Sequence, residues 1–222
     1  MGVISVEQAD RLYWLGRYIE RVYTTTCIYF EAYDNLLDDF GKDYKDYCRS
    51  LDIPDVYASS EDFLRRYAFD PEDPNSVISN LNRAYDNAIV LREEIGSEAL
   101  AYVQLIVYEM KKAAQSSAPL LELQKILDYC MAFWGIADDM ILSENTRNIL
   151  KSGKRVERID LFARLKKPRE DLEREVARLT GRIPKCNLKY NKEILNNLND
   201  LVKEDEIDYR KIVSEVESIL NV

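Results

Sequence analysis

The chain contains no histidine among its 222 residues. Histidine is the commonest proton shuttle and a frequent zinc ligand, so its absence excludes Ser-His-Asp triads, Cys-His pairs and His-ligated zinc. Glycine and proline are scarce as well, with seven and six residues, which leaves little turn chemistry for an all-β fold. We therefore expect no catalytic residue, metal or cofactor. Whether the protein is an enzyme stays open, but these absences argue against activity of the isolated chain.

Cysteine pairs and long apolar runs are missing too. The four cysteines show no Cys-x-x-Cys spacing, which is typical of reduced thiols in a cytosol. No apolar run reaches the length of about 18 residues that a membrane span needs. The first residues, "MGVISVEQAD", lack the basic and apolar regions of a signal peptide. These features predict a cytoplasmic protein without a membrane span.

The formal net charge of −9 disfavours nucleic acid or an anionic membrane as a general partner. Residues 151–185 run against this trend, with twelve Lys or Arg and six Asp or Glu. One interpretation is a solvated pair of amphipathic helices that pairs with acidic neighbours. Another is a docking surface for an acidic partner or an anionic ligand. Nucleic-acid binding by this segment is a lesser possibility, because no recognised motif accompanies the charge.

A long helix is predicted near the start of the chain. Ser5 and Gln8 have the spacing of a capping box, and the helix that they open should run to about Phe40 and stop at Gly41. Its aliphatic residues recur at helical spacing. They are Leu12, Leu15, Ile19 and Val22.

The rest of the chain also shows helical rather than alternating patterns. Predicted caps are Ser59 or Ser60, Asn75 or Ser76, and Ser143, and a break is expected at Gly96. The further helices are expected at 43–50, 60–68, 76–95, 98–115, from Pro119, from Ser143, and at 168–181, 191–203 and 208–220. We predict an all-α fold, either a bundle of about seven to nine helices or two packed helical layers, in a single domain over residues 1–222.

A short element occurs twice. "LGRYIERV" at 15–22 returns as "KSGKRVERI" at 151–159, each with a glycine four residues before a Glu-Arg pair. Glycine inside a helix costs about 0.5–1 kcal/mol relative to alanine. Two glycines at equivalent positions, Gly16 and Gly153, therefore predict a close approach, either by another helix backbone or by the neighbouring glutamate to a partner. We expect the two long helices that carry the motif to pack together.

The charged residues of the repeat allow three interpretations. Helical phase puts Glu20 and Glu157 on the flank of the aliphatic stripe, with Arg17 and Lys154 within reach three residues earlier. The group can be a buried ion-pair network that fixes helix register. It can instead be a polar cleft, with arginines for a carboxylate or phosphate and glutamates for an amine. A carboxylate-only metal site is the third, with help from the Asp138-Asp139 pair.

At these residues the chain resembles a known family. "LYWLGRYIERV", "DPNSVISNLNRAYDNAIVLREEIGSE", "FWGIADDMI" and "GKRVERID" are similar in order and spacing to the motifs of the alpha-E family, bacterial helical proteins named for a Glu-Arg motif. The resemblance covers roughly residues 3–166, which leaves about 167–222 as a C-terminal helical extension. The candidate binding residues are Arg17, Glu20, Arg21, Asn87, Arg92, Glu98, Lys154, Glu157, Arg158 and Asp160.

The resemblance also implies partners. Alpha-E proteins keep company with a circularly permuted ATP-grasp protein and a transglutaminase-like protein, in a setting of peptide-bond formation or amide modification. One hypothesis is a non-catalytic helical partner that docks onto the ATP-grasp ligase or presents its substrate. The other is an enzyme whose Glu-Arg cleft handles an amine and a carboxylate. The missing histidine and phosphate loop favour the first hypothesis, and the repeated charged motif favours the second.

Overall fold

The computed structural model describes residues 4–37 and 43–220. Over these ranges the chain is helical, without a β-strand, which confirms the prediction of an all-α fold. The helices are α1 (Val6–Leu37), α2 (Tyr44–Leu51), α3 (Ser60–Phe69), α4 (Val77–Val90), α5 (Arg92–Ala113), α6 (Pro119–Asp139), α7 (Glu144–Arg164), α8 (Arg169–Thr180), α9 (Lys192–Leu201) and α10 (Tyr209–Glu217). A single 3₁₀ turn, Ile183–Lys185, follows α8.

The described helices number ten rather than seven to nine. The short helices α2 and α3 and the closing pair α9 and α10 each have their own caps, so none merges with a neighbour. The helix predicted at 76–95 ends at Val90, where Leu91 leaves helical geometry. Gly96 then kinks α5 with a φ of 84°, a conformation that favours glycine.

Local capping rules hold at the predicted starts of helices. The backbone N–H of Gln8 donates to Ser5 Oγ at 3.1 Å, and the Ser5 N–H donates to Gln8 Oε1 at 2.9 Å, which confirms the capping box. Ser59, Ser76 and Ser143 cap α3, α4 and α7 in the same manner. The predicted end of the first helix, at Phe40 and Gly41, lies outside the described residues.

The chain divides into two compact units, Met1–Arg17 with Leu142–Val222 and Tyr18–Ile141. In the first unit α7 contacts α8, α10 and the 3₁₀ turn, and α9 contacts α8 and α10. Aliphatic side chains with no exposed surface fill its core, and their burial is the main favourable contribution to its stability. They include Leu12, Leu15, Ile149, Leu150, Val156, Ile159, Leu172, Val176, Leu179, Leu198, Ile212 and Val216.

In the second unit α4 packs on α5 and α5 packs on α6. Around α2 and α3 the core of this unit is built from aromatic rings. Phe63 is fully buried, with the ring of Tyr67 at 5.0 Å and that of Tyr44 at 5.7 Å between centroids. Within the described residues no helix combines the length and the apolar character that crossing a membrane requires.

Candidate functional site

The two motif glycines lie where α1 and α7 touch backbone to backbone in the first unit. A Cβ atom added at Gly16 would overlap the carbonyl oxygen of Leu150 and lie 3.0 Å from its carbonyl carbon. One added at Gly153 would overlap the carbonyl oxygen of Tyr13 and lie 3.2 Å from the backbone nitrogen of Arg17. The repeated glycines thus create a reciprocal contact that no residue with a side chain could make.

This contact brings Arg17 of α1 to Glu157 of α7. The Nε–H of Arg17 donates to Glu157 Oε2 at 2.7 Å. Glu157 has no exposed surface and Arg17 retains 8%, so water hardly screens this ion pair. The Arg17 guanidinium also lies over the ring of Trp14, at 4.8 Å from the centroid, which adds a cation–π contact.

Burial and charge act in opposite directions on the pair. Burial is the largest single influence and lowers the pKa of Arg17, but Glu157, Tyr13 and Asp160 together outweigh it, so the net effect is a raised pKa. The neighbouring Tyr13 hydroxyl is buried as well, and its burial raises its pKa to about 12. Arg17 is therefore held as a permanent cation whose partner is a carboxylate of the same unit.

Asp160 extends the network towards the C-terminal helices. Its Oδ2 lies 3.7 Å from Arg17 Nη2, and its Oδ1 accepts a hydrogen bond from Arg164 Nε at 2.8 Å. Arg164 Nη2 donates in turn to Glu217 Oε1 at 2.6 Å. Burial and the nearby Glu157 raise the pKa of Asp160. The chain of ion pairs joins α1, α7 and α10.

A second buried carboxylate, Glu175 of α8, is surrounded by four further arginines. Glu175 has no exposed surface. Its Oε2 accepts from Arg155 Nη1 at 2.6 Å and its Oε1 accepts from Arg178 Nη1 at 2.7 Å. Arg158 and Arg174 approach the same Oε1 at 3.8 and 3.6 Å. The arginine of the second Glu-Arg pair is thus near α8, while its glutamate contacts α1.

A basic cavity of 470 Å³ opens beside this cluster. It lies between the start of α7, the end of α8 and the 3₁₀ turn, and Glu144 is the acidic residue in its lining. The nearby Asn148 amide oxygen accepts a hydrogen bond from Arg182 Nη1 at 2.8 Å. We call this feature the basic cavity, and its cationic lining residues are Arg147, Arg155, Arg178, Arg182 and Lys185.

The cations around the basic cavity repel one another. Burial, together with Arg182 and Arg155, lowers the pKa of Lys151 to about 8. Burial and the charge of Arg147 likewise lower the pKa of Arg182. Among the described residues neither Arg182 nor Lys185 forms an ion pair, so the positive potential is only partly neutralised from within.

The remaining predicted site residues have other surroundings. Glu20 is fully buried in the second unit and accepts a hydrogen bond from the Thr24 hydroxyl at 3.3 Å. Arg21, of the same unit, is half-buried. Lys154 is buried in α7, with its backbone nitrogen against Gly16.

The middle motif belongs to the second unit too. Asn87 of α4 is half-buried, while Arg92 and Glu98 of α5 are exposed. The Asp138-Asp139 pair is exposed at the end of α6. No group of three or more His, Cys, Asp or Glu in the described part of the chain is placed to hold a metal ion.

Sequence reasoning pointed to residues 151–185 as basic but missed the cavity. Arg147 lies before that segment, and the lining comes together only because α8 and the 3₁₀ turn fold back onto α7. No local spacing signals such a convergence. The only indication of the cavity in the sequence was the excess of twelve Lys or Arg over six Asp or Glu in residues 151–185.

Comparison with known proteins supports the motif assignment. A family model described as a predicted alpha-helical domain with a conserved ER motif matches residues 7–188. No curated protein and no solved structure matches the chain.

Proposed function

This chain belongs to the Alpha-E family of helical domains, and we propose that it is a non-catalytic helical partner of an ATP-grasp-type peptide or amide ligase, or presents that ligase's substrate. The partner would be a circularly permuted ATP-grasp protein, with a transglutaminase-like protein in the same setting. The proposed place of action is the bacterial cytoplasm.

The basic cavity is the observation that supports this proposal. A concave surface with five cations and one acid complements an acidic surface and would speed encounter with it. The chain as a whole is acidic, at −9, so this basic face is a distinctive point of attachment. Binding through charge needs no nucleophile and no proton shuttle, in keeping with a chain without histidine.

The alternative is an enzyme that handles an amine and a carboxylate through the Glu-Arg groups. Arg17 and Glu157 would then have to exchange a buried 2.7 Å ion pair for substrate, and separating buried partners costs about 3–5 kcal/mol. We therefore expect no ATP hydrolysis, peptidase or transglutaminase turnover by the isolated chain.

Co-purification with the ATP-grasp protein of the same organism tests the proposal. We expect a complex whose affinity falls as salt rises, and Lys185→Glu should weaken it about tenfold or more by placing like charges together. Lys203→Glu is the matched control, because Lys203 is exposed outside the cavity and forms no ion pair with a described residue. Equal affinity for both variants, or turnover by the isolated chain that Glu157→Gln abolishes, would contradict the proposal.

A further inference from the structure

The basic cavity has the size and lining of a small-ligand site, which is a property beyond docking a partner protein. Its 470 Å³ falls within the range of about 300–1,000 Å³ typical of ligand pockets. Its cations come from α7, from α8, from the 3₁₀ turn and from Arg182 just before that turn, so they approach a central ligand from several directions. A flat docking surface would not need this enclosure.

One buried donor in this site lacks an acceptor. Arg155 lines the cavity, and its Nη1 is bound to Glu175. Its Nε–H is buried yet makes no hydrogen bond to any residue that the structure describes. A buried donor left without an acceptor is unfavourable, so the Arg155 guanidinium is short of acceptors, and an anion in the cavity would supply further acceptors to this group.

The balance of charge also calls for an anion. Glu175 is the carboxylate that accepts hydrogen bonds from both Arg155 and Arg178, while Arg182 donates to the neutral amide oxygen of Asn148. Glu144 is the acid against five cations in the lining. Like charges that share one partly enclosed space repel one another, and a multivalent anion among them would replace this repulsion with attraction.

We infer that the basic cavity binds a compact phosphate-bearing polyanion, of which diphosphate is the simplest example. A phosphate group presents more oxygens than a carboxylate and can accept from several guanidinium groups at once. The cavity offers guanidinium donors from Arg147, Arg155, Arg178 and Arg182 around one space. None of its described lining residues is aromatic, so a nucleobase would find no stacking partner and the recognised part is the phosphate.

Titration calorimetry with inorganic diphosphate at constant ionic strength tests this inference. We expect one site per chain, and Lys185→Gln should weaken binding about tenfold because a hydrogen bond to a charged group is lost. Arg182→Lys keeps the charge but removes the planar fork and should also weaken binding. Lys203→Gln is the matched control and should leave the affinity unchanged within about twofold.

The inference would be overturned if Lys185→Gln and Lys203→Gln weakened diphosphate binding equally. It would also be overturned if neither change weakened it. A hexaglutamate peptide serves as the second probe. If it binds more tightly than diphosphate at the same ionic strength, and Lys185→Gln weakens it, the site is an acidic-peptide dock and the phosphate inference is wrong. The partner role proposed above would survive that result, because it requires the basic cavity to bind an acidic surface and not diphosphate, and co-purification tests it separately.

Discussion

The backbone of Gly16 lies directly against the carbonyl group of Leu150, so a Cβ atom at position 16 would be 3.0 Å from the Leu150 carbonyl carbon. Gly153 has the reciprocal contact with Tyr13. Both obstacles are backbone atoms, and no change of rotamer could relieve the overlap. The repeated motif therefore begins with a steric requirement, and the ion pair between Arg17 and Glu157 depends on it.

Alanine at either glycine should push α1 and α7 apart. We expect Gly16→Ala and Gly153→Ala each to lower the free energy of unfolding by at least about 3 kcal/mol, measured by urea denaturation. Gly135→Ala is the control, because Gly135 lies in α6 with nothing within 4 Å of an added Cβ. That change should stabilise the protein by about 0.4–1 kcal/mol. Similar effects at all three positions would refute the close contact.

Removal of the Glu175 charge should leave its arginines without their shared carboxylate. We expect Glu175→Gln to lower the free energy of unfolding by about 3–5 kcal/mol, and added diphosphate should recover part of the loss by binding the folded state. Glu173→Gln, on the same helix and without an ion pair to a described residue, should change it by about 0.5 kcal/mol or less. A Glu175→Gln protein as stable as Glu173→Gln would show that the cluster contributes nothing.

Lys151 should make stability depend on pH. Its folded pKa of about 8 lies below the usual 10.5, so its charged form is penalised in the folded state. The penalty is full below pH 8 and disappears as pH rises towards 10.5. The stability advantage of Lys151→Met over the unmodified protein should accordingly shrink across this window.

Urea denaturation at a series of pH values measures this trend. Lys189→Met is the control, since Lys189 is exposed, and its difference from the unmodified protein should stay constant over the same window. A Lys151→Met difference that is constant or grows with pH would contradict the expected electrostatic penalty.

The parts that the sequence predicted well are those decided by neighbours along the chain. The Ser5–Gln8 capping box and the kink at Gly96 follow from backbone chemistry within a few residues. The glycine of each motif likewise indicated a close approach, because glycine weakens a helix, and the structure shows that the approaching group is the backbone of the other helix. The sequence did not predict which residues of the middle motif are exposed and which are buried; Arg92, for example, is exposed.

The basic cavity could not be predicted, because it depends on how distant segments meet. Arg147 and Arg182 lie 35 positions apart and come together only when the turn after α8 folds onto α7. The packing of the two motif helices was predicted, but the partner of Arg17 was not. Its spacing suggested a glutamate on the same helix, while the structure gives it Glu157 and Asp160 of α7.

We propose that the buried Arg17–Glu157 ion pair holds α1 against α7, while the basic cavity is where a partner would attach. The free energy of unfolding of Glu157→Gln tests it most directly, with Glu7→Gln as the control, since Glu7 forms an exposed pair with Arg11. We predict a loss of about 3–5 kcal/mol for Glu157→Gln, because it removes the carboxylate hydrogen-bonded to buried Arg17 and leaves that guanidinium only the longer contact with Asp160. For Glu7→Gln we predict a loss of less than about 1 kcal/mol. An unfolding curve of Glu157→Gln that coincides with that of the unmodified protein would contradict the claim and favour a functional cleft.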